Sequence, residues 1–234
     1  MIAIISDIHA NFAALEAVLD DAKQHGCQQY ICLGDIAGYH SEINQCIDAL
    51  SSIQDLVLIR GNHDQYLING SGCPRSKHVT ATLEYQQKTI TSGNLEWLAK
   101  SQPFYLAGNT YYTHGGPHDN LEQYLYSVSD AIFPSDFLRL VVGHTHVQVE
   151  LVLGDRVFCN PGSVGQPRDG DPRAAYAILE NDKFILRRVS YDIRRTQAKM
   201  AEAGFPEYSY ANLAIGAQVG GRIDTIKYFS ADHV

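Results

Sequence analysis

No run of apolar residues in this 234-residue chain reaches the roughly 18 needed for a membrane-spanning helix, so a membrane partner is not expected. The first residues, Met1 to Asn11, lack the basic segment and cleavage site of a secretory signal. Cysteine is scarce and scattered. The five residues Cys27, Cys32, Cys46, Cys73 and Cys159 are odd in number and contain no C-x-x-C pair. That pattern argues against a disulfide framework and for a reducing, cytoplasmic setting. Positive charge is in deficit, with 18 Lys and Arg against 26 Asp and Glu and a net charge of −8. Without a Lys/Arg stripe to neutralise phosphates, long nucleic acid is disfavoured as a partner. Glycine (19) and proline (8) are at ordinary usage, which excludes collagenous and low-complexity classes. There is no internal repeat and no linker, and the length suits a single domain over 1–234. Histidine is what the chain does have: ten residues that the acidic balance does not explain.

Short apolar runs recur, and five of them end in a polar cluster. Ile2 to Ile5 stops at Ser6-Asp7-Ile8-His9, Tyr30 to Leu33 at Gly34-Asp35, and Leu56 to Ile59 at Arg60-Gly61-Asn62-His63-Asp64. Thr110 to Thr113 stops at His114-Gly115-Gly116, and Leu138 to Val142 at Gly143-His144-Thr145-His146. Runs of this length and composition, bounded by glycine, predict buried strands. Between the first strands, Phe12, Leu15, Val18, Leu19 and Ala22 share one helical face, with Asn11 as N-cap and Gly26 as stop. Ile43, Ile47 and Leu50 predict a second helix. Alternation of strand and helix implies parallel pairing, and ligands in such sheets collect at the carboxyl ends of the strands. From Val147 to Val189 four consecutive strands with tight turns predict a second, antiparallel sheet. Residues 66–103 are expected to form a helical insert near the site, anchored by Trp97 and Leu98, and residues 192–203 a basic helix. The tail from 206 onward carries no pattern that places it.

Each polar cluster has an ordinary explanation when taken alone. Asp7 and His9 point to one side of a strand end, where either could serve a turn or a cap. Asp35 and Asn62 could be cap and turn residues, and a lone His114 is usually structural. Jointly, the strand ends at one edge of a sheet present Asp7, His9, Asp35, Asn62, His114, His144 and His146. Two carboxylates, four imidazoles and an amide suit divalent transition metals, and seven donors suit two ions sharing a bridging carboxylate.

The set DIH, GD, GNHD, THGG and GHTH, in that order over residues 1–146, resembles the calcineurin-like metallophosphoesterase superfamily. The continuation from Asn160 to Arg173, NPGSVGQPRDGDPR, resembles its compact bacterial and archaeal branch, related to diadenosine tetraphosphatases and serine/threonine phosphatases. The resemblance implies an α/β (α+β) fold, a four-layer α-β-β-α sandwich of two mixed sheets flanked by helices. It implies one metal held by Asp7, His9 and His146, a second held by Asn62, His114 and His144, and Asp35 bridging them. The expected cofactors are two divalent transition metal ions, Mn, Fe, Zn, Co or Ni, since a nitrogen-rich donor set argues against Ca or Mg alone. The implied activity is hydrolysis of a small phosphomonoester, phosphodiester or nucleotide anhydride by a metal-bridging hydroxide.

By the same resemblance His63 faces the substrate, steadies the phosphoryl group and protonates the leaving oxygen, while Asp64 hydrogen-bonds its ring. Asn11 caps the first helix, contacts a phosphate oxygen, or both. Arg168 offers a bidentate fork to phosphate or pairs with Asp169 or Asp171. Tyr39 stands near the substrate or packs in the core, in a loop that reads Tyr39-His40-Ser41 where compact members often continue with Gly-Pro. No Arg occurs in residues 36–42, which disfavours a phosphoprotein phosphatase. Among the remaining histidines, His25 is expected at a helix C-terminus, His118 beside the metal ligands, and His40, His78 and His233 on the surface. The alternative to catalysis is a silent scaffold of this fold used for protein binding, which a preparation without metal or phosphoesterase activity would favour. A nuclease is the remaining rival, disfavoured by the acidic balance.

Overall fold

The computed structural model describes residues 1–229, so His233 lies outside the described residues. Strand and helix alternate through β1 (Ile2–Ile5), α1 (Phe12–Gln24), β2 (Gln29–Cys32), α2 (Ile43–Ser51), β3 (Leu56–Leu58) and α3 (Asn62–Ile68). Helices α4 (Lys77–Thr89) and α5 (Ser92–Leu98) lead to β4 (Phe104–Ala107), β5 (Thr110–Thr113), β6 (Ser127–Val128) and β7 (Arg139–Val141). Two hairpins follow, β8 (Gln148–Leu153) with β9 (Arg156–Pro161) and β10 (Ala174–Glu180) with β11 (Lys183–Val189). The described chain then continues through α6 (Ile193–Glu202) to β12 (Lys227–Tyr228), which pairs with β6. Among the described residues no helix is long and apolar enough to cross a membrane.

The strands form two five-stranded mixed sheets, ordered β11-β10-β1-β2-β3 and β4-β5-β7-β9-β8. This corrects the expectation that residues 147–189 build one antiparallel sheet of their own. Only β8 and β9 join the second sheet; β10 runs antiparallel beside β1 in the first. The reason is hydrogen bonding. Ala3, Ile4 and Ile5 are wholly buried, so both edges of β1 need ladder partners, and β10 supplies the edge that the parallel β2 does not. Side chains alternate across each sheet with the period of two that strands impose. Ala3, Ile5 and Cys32 point to an outer layer with residues of α1 to α5, including Leu15, Ile47, Leu67, Leu83 and Leu98. Ile4 and Ile31 point inward to Tyr112, Val141 and Cys159 of the second sheet. On that sheet's far side Leu140, Val142 and Phe158 are covered by Leu125, Val128 and Phe133, around a one-turn 3-10 helix at Asp130–Ile132.

Two sheets facing each other bring two sets of strand ends to one rim. The carboxyl ends of β1, β2 and β3 carry Asp7, His9, Asp35 and Asn62, and those of β5 and β7 carry His114, His144 and His146. The polar clusters therefore come from both sheets and not from the single sheet edge that spacing suggested. A strand pattern tells which residues end a strand but not which sheet the strand joins.

Candidate metal centre

The loops that leave these strands are bent hard. Asp7, His9, Ala10, Asp35, Tyr39, His144 and His146 all have positive φ, between 52° and 66°. A non-glycine residue in this left-handed region costs roughly 1–3 kcal/mol and persists only where its surroundings hold it. Here the bends turn side chains from successive strands toward a common centre. Gly61 lets two loops touch, because a Cβ there would lie 2.0 Å from Asp35 Oδ1. Gly61→Ala is thus expected to displace the Asp35 carboxylate and reduce metal affinity and turnover by about 10–100-fold, the scale of lost support for a ligand. Metal content and hydrolysis of bis-p-nitrophenyl phosphate would be measured together, and an alanine variant indistinguishable in both would show that the close approach is unimportant.

The seven predicted donors converge, each 2% exposed or less. His9 Nδ1 donates to the Ala37 carbonyl at 2.7 Å and His146 Nδ1 to the Gln166 carbonyl at 2.7 Å. A carbonyl only accepts, so the ring protons are on Nδ1, and the two Nε2 atoms face each other with bare lone pairs at 3.0 Å. Asp7 Oδ2 is engaged by Ser6 Oγ at 2.6 Å and the His144 N–H at 3.0 Å. That leaves Oδ1 without a hydrogen-bond partner, 3.2 Å from His146 Nε2 and 3.8 Å from His9 Nε2.

The second cluster repeats the pattern. His114 Nδ1 donates to the Leu33 carbonyl at 3.1 Å, turning Nε2 toward His144 Nδ1 at 3.1 Å and Asn62 Oδ1 at 3.2 Å. Asp35 stands between the clusters. Its Oδ1 accepts from the His63 N–H at 2.8 Å, while Oδ2 lies 3.4 Å from His114 Nε2, 3.8 Å from His9 Nε2 and 3.9 Å from His63 Nε2. Buried lone pairs aimed at one another repel unless a cation lies between them, so this donor set fits two divalent ions. Residue triplets Asp7-His9-His146 and Asp35-His114-His144 each bring one donor atom within 4.8 Å of the others.

The electrostatics agree with that reading. Burial draws the pKa of His9, His144 and His146 below the ordinary imidazole value. Burial opposes ionisation of Asp7, but His146, His114 and His9 more than offset it and hold the carboxyl well below its usual range. His114 goes the other way: burial disfavours its charge, yet Asp35 beside it pushes the ring up to about 9. A divalent ion held there would displace this proton, so its binding would release acid.

His63 occupies the second position of α3, with its ring stacked on Tyr39 at 5.2 Å and edge-on to His9 at 5.0 Å. Gly38 makes room for it, since a Cβ there would meet His63 Nδ1 at 2.1 Å. Burial lowers the His63 pKa to about 4. The expected Asp64–His63 hydrogen bond is a correction: His63 Nδ1 has no partner. Successive residues on a helix do not face each other. Asp64 instead accepts from the N–H groups of Asp35 at 2.8 Å, Ala37 at 3.0 Å and Gly61 at 3.0 Å, bracing the loop that presents Asp35. Burial, with Asp35 nearby, raises its carboxyl to about 7.

Asn11 also departs from the substrate contact considered for it. Its oxygen caps α1 at Ala14 N (3.2 Å) and accepts from Thr196 Oγ1 (2.7 Å), while its amide donates to Gly165 O (2.8 Å) and Tyr191 OH (3.2 Å). With every polar atom engaged and no exposure, it is a structural knot. Arg168 does not pair with Asp169 or Asp171, which bind Arg188 and Arg173. It donates to the Tyr39 hydroxyl at 2.8 Å. His40, expected on the surface, is buried and donates through Nδ1 to the His9 carbonyl at 2.8 Å. His78 is half-buried beside Tyr39, and His118 is exposed. His25 caps the end of α1, as its position suggested. Tyr124, stacked on His144 with centroids 3.7 Å apart, was missed; nothing in the stretch Leu121 to Tyr126 marks it.

Comparison with known proteins agrees with this geometry. Residues 1–183 match the calcineurin-like phosphoesterase superfamily domain. An uncharacterised protein of Methanocaldococcus jannaschii is 32% identical over 92% of this chain and 98% of its own length. Phosphodiesterase YfcE of Escherichia coli K12 is 30% identical over 76% of this chain and 85% of its own. The crystal structure of a metallophosphoesterase from Sphaerobacter thermophilus superposes with a TM-score of 0.79 and 34% identity, covering 92% of this chain and 98% of that one. The chain belongs to the calcineurin-like phosphoesterase superfamily and is a phosphoric ester hydrolase.

Proposed function

We propose that this enzyme hydrolyses a small phosphomonoester, phosphodiester or nucleotide anhydride at a dinuclear centre. Asp7, His9 and His146 would hold one ion, Asn62, His114 and His144 would hold the other, and Asp35 would be shared between them. The observation that carries this reading is the pair of imidazole nitrogens facing each other at 3.0 Å with both protons turned away to carbonyls. Bound divalent ions supply a lowered pKa for water and neutralisation of phosphoryl charge. The chain's own contribution is orientation. Ala37, Gln166 and Leu33 carbonyls fix three ring tautomers, and Ser6 and the His63 N–H each hold one carboxylate oxygen so that the other faces the imidazoles. His63, whose Nε2 is turned toward Asp35 Oδ2 and whose ring is clamped by Tyr39, is the group that meets the phosphoryl oxygens. The relationship to a protein named as a phosphodiesterase supports testing diesters beside monoesters.

The test is elemental analysis of the purified chain together with a panel of phosphorylated metabolites, p-nitrophenyl phosphate and bis-p-nitrophenyl phosphate in Mn(II). Two transition-metal ions per chain with hydrolysis of at least one ester is the expected result; neither metal nor hydrolysis would sink the proposal. Metal also adds stability. An ion at 100 times its dissociation constant contributes about 2.7 kcal/mol per site, and each kcal/mol moves Tm by roughly 2–4 °C in a chain of this size, so chelation is expected to lower Tm by roughly 10–20 °C. An unchanged melting curve after stripping would contradict it.

A further inference from the structure

A cavity of about 280 Å³ adjoins the metal centre and is lined by Tyr39, Arg75, Ser76, His78, Arg168 and Gln218, with Val219. Arg75 on this wall is paired with Glu122 and Gln218 is bonded to the Asp224 carboxylate, which leaves Arg168 as the arginine without a counter-charge. Arg168 is only 5% exposed, yet among the described residues no carboxylate lies within ion-pair distance of its guanidinium, and its Nε has no hydrogen-bond partner. Its side-chain neighbours are neutral: the hydroxyl and ring face of Tyr39, and the hydroxyl of Tyr126, which itself donates to Asp224 at 3.2 Å. Burying a guanidinium without a counter-charge is costly, and a bound anion would offset that cost. His78 Nε2 is a second buried nitrogen without a partner. The thirteen-residue helix α4 begins at the same place, with Ser76 as its N-cap, so the positive end of its dipole is turned to the cavity. Arg75 adds a further guanidinium, held by Glu122, the carboxylate that engages it.

The cavity and the metal centre share a wall. Tyr39 packs its ring on His9 at 4.6 Å and on His63 at 5.2 Å, while its hydroxyl meets Arg168. The backbone N–H of Arg168 donates to the His146 carbonyl at 3.2 Å, tying the guanidinium to a residue of the proposed first metal site. Gln218 comes from the tail, beyond residues 1–183 that match the superfamily domain.

We propose that the cavity binds a second phosphoryl group of the substrate, so that the enzyme acts on a small molecule carrying two phosphates, a diphosphate or a bisphosphate, in preference to a simple monoester. This rests on the phosphoesterase reading of the adjoining centre. The scissile phosphate lies at the metals, and the second phosphate takes hydrogen bonds from Arg168, His78 and the start of α4.

The probes are AMP, ADP and adenosine 3′,5′-bisphosphate. Phosphate release by the Mn(II)-loaded enzyme is expected to show kcat/KM higher by about tenfold or more for a two-phosphate probe, the scale of one charge-assisted hydrogen bond, with the difference in KM. That ratio should fall toward unity in Arg168→Gln and His78→Gln and be partly kept in Arg168→Lys. Equilibrium dialysis reads the cavity without turnover, and ADP should bind more tightly than AMP by a similar factor. Equal kcat/KM and equal binding for the one- and two-phosphate probes would overturn the proposal while leaving the phosphoesterase reading intact. Tighter binding of ADP with no hydrolysis of any ester would support the anion cavity and overturn the reading of the centre instead. Stimulation of AMP turnover by added inorganic phosphate would make the cavity a site for a free effector and would overturn the substrate assignment.

Discussion

Asp35→Asn is expected to lose metal and turnover together. The carboxylate lies within 4 Å of donors from both clusters, with Oδ2 3.4 Å from His114 Nε2 and 3.8 Å from His9 Nε2. Asparagine has the same shape and its oxygen can still accept from the His63 N–H, so the loop should survive the change. What it removes is one negative charge from a centre where only Asp7 and Asp35 are set against two divalent cations. Losing the several kcal/mol that metal ions supply to the reaction, at about 1.36 kcal/mol per decade, corresponds to a fall on the order of 10³-fold or more. Elemental analysis and turnover of bis-p-nitrophenyl phosphate, with circular dichroism as a control for folding, test this. A variant that retains two ions and a tenth of its activity would show that Asp35 does not bridge.

His63→Ala is expected to separate the two properties. His63 completes neither donor triplet Asp7-His9-His146 nor Asp35-His114-His144, and the third group it forms with His9 and Asp35 draws on residues of those two, so both ions should stay. Its loss should lower kcat by about 10²–10⁴-fold, the range of a positioned proton donor. The dependence on leaving group distinguishes proton donation from mere support of the loop. An alkyl phosphate, whose leaving oxygen needs a proton, should suffer more than p-nitrophenyl phosphate, whose leaving group departs as a stable anion. Equal losses on the two esters would leave His63 as a binding group only, and intact turnover would remove it from the chemistry altogether.

The strand ends and their polar residues were legible because both signals are local. Ile2 to Ile5 is a strand by its composition, and Asp7 and His9 leave it on one side whatever surrounds them. The helix α1 was equally plain, since Asn11 and Gly26 bracket a periodic apolar face. Pairing across the sandwich was not legible, because β10 joins β1 through contacts more than 170 residues apart along the chain, and nothing in either strand's own residues names its neighbour. Side-chain direction within a helix also escaped. His63 and Asp64 are adjacent in sequence and look like partners, but the helical turn sends one to Tyr39 and the other to backbone amides of a different loop. Arg168 could be recognised as an anion ligand by residue type, whereas its lack of a carboxylate depends on Arg188 and Arg173 having taken Asp169 and Asp171.

Each proposed ion would draw ligands from both sheets, the first through Asp7 and His9 after β1 and His146 after β7, the second through Asn62 after β3 and His114 and His144 after β5 and β7. The apolar interface between the sheets, built on Ile4, Ile31, Tyr112 and Val141, needs no ion to form. Refolding can therefore run to near completion before a cation arrives, whereas parting the sheets requires that cation to leave first. Occupancy is expected to slow unfolding and leave the refolding rate nearly untouched, the behaviour of interactions absent from the transition state. The same atoms that attract a phosphate would then act as a latch, setting how long the native chain survives.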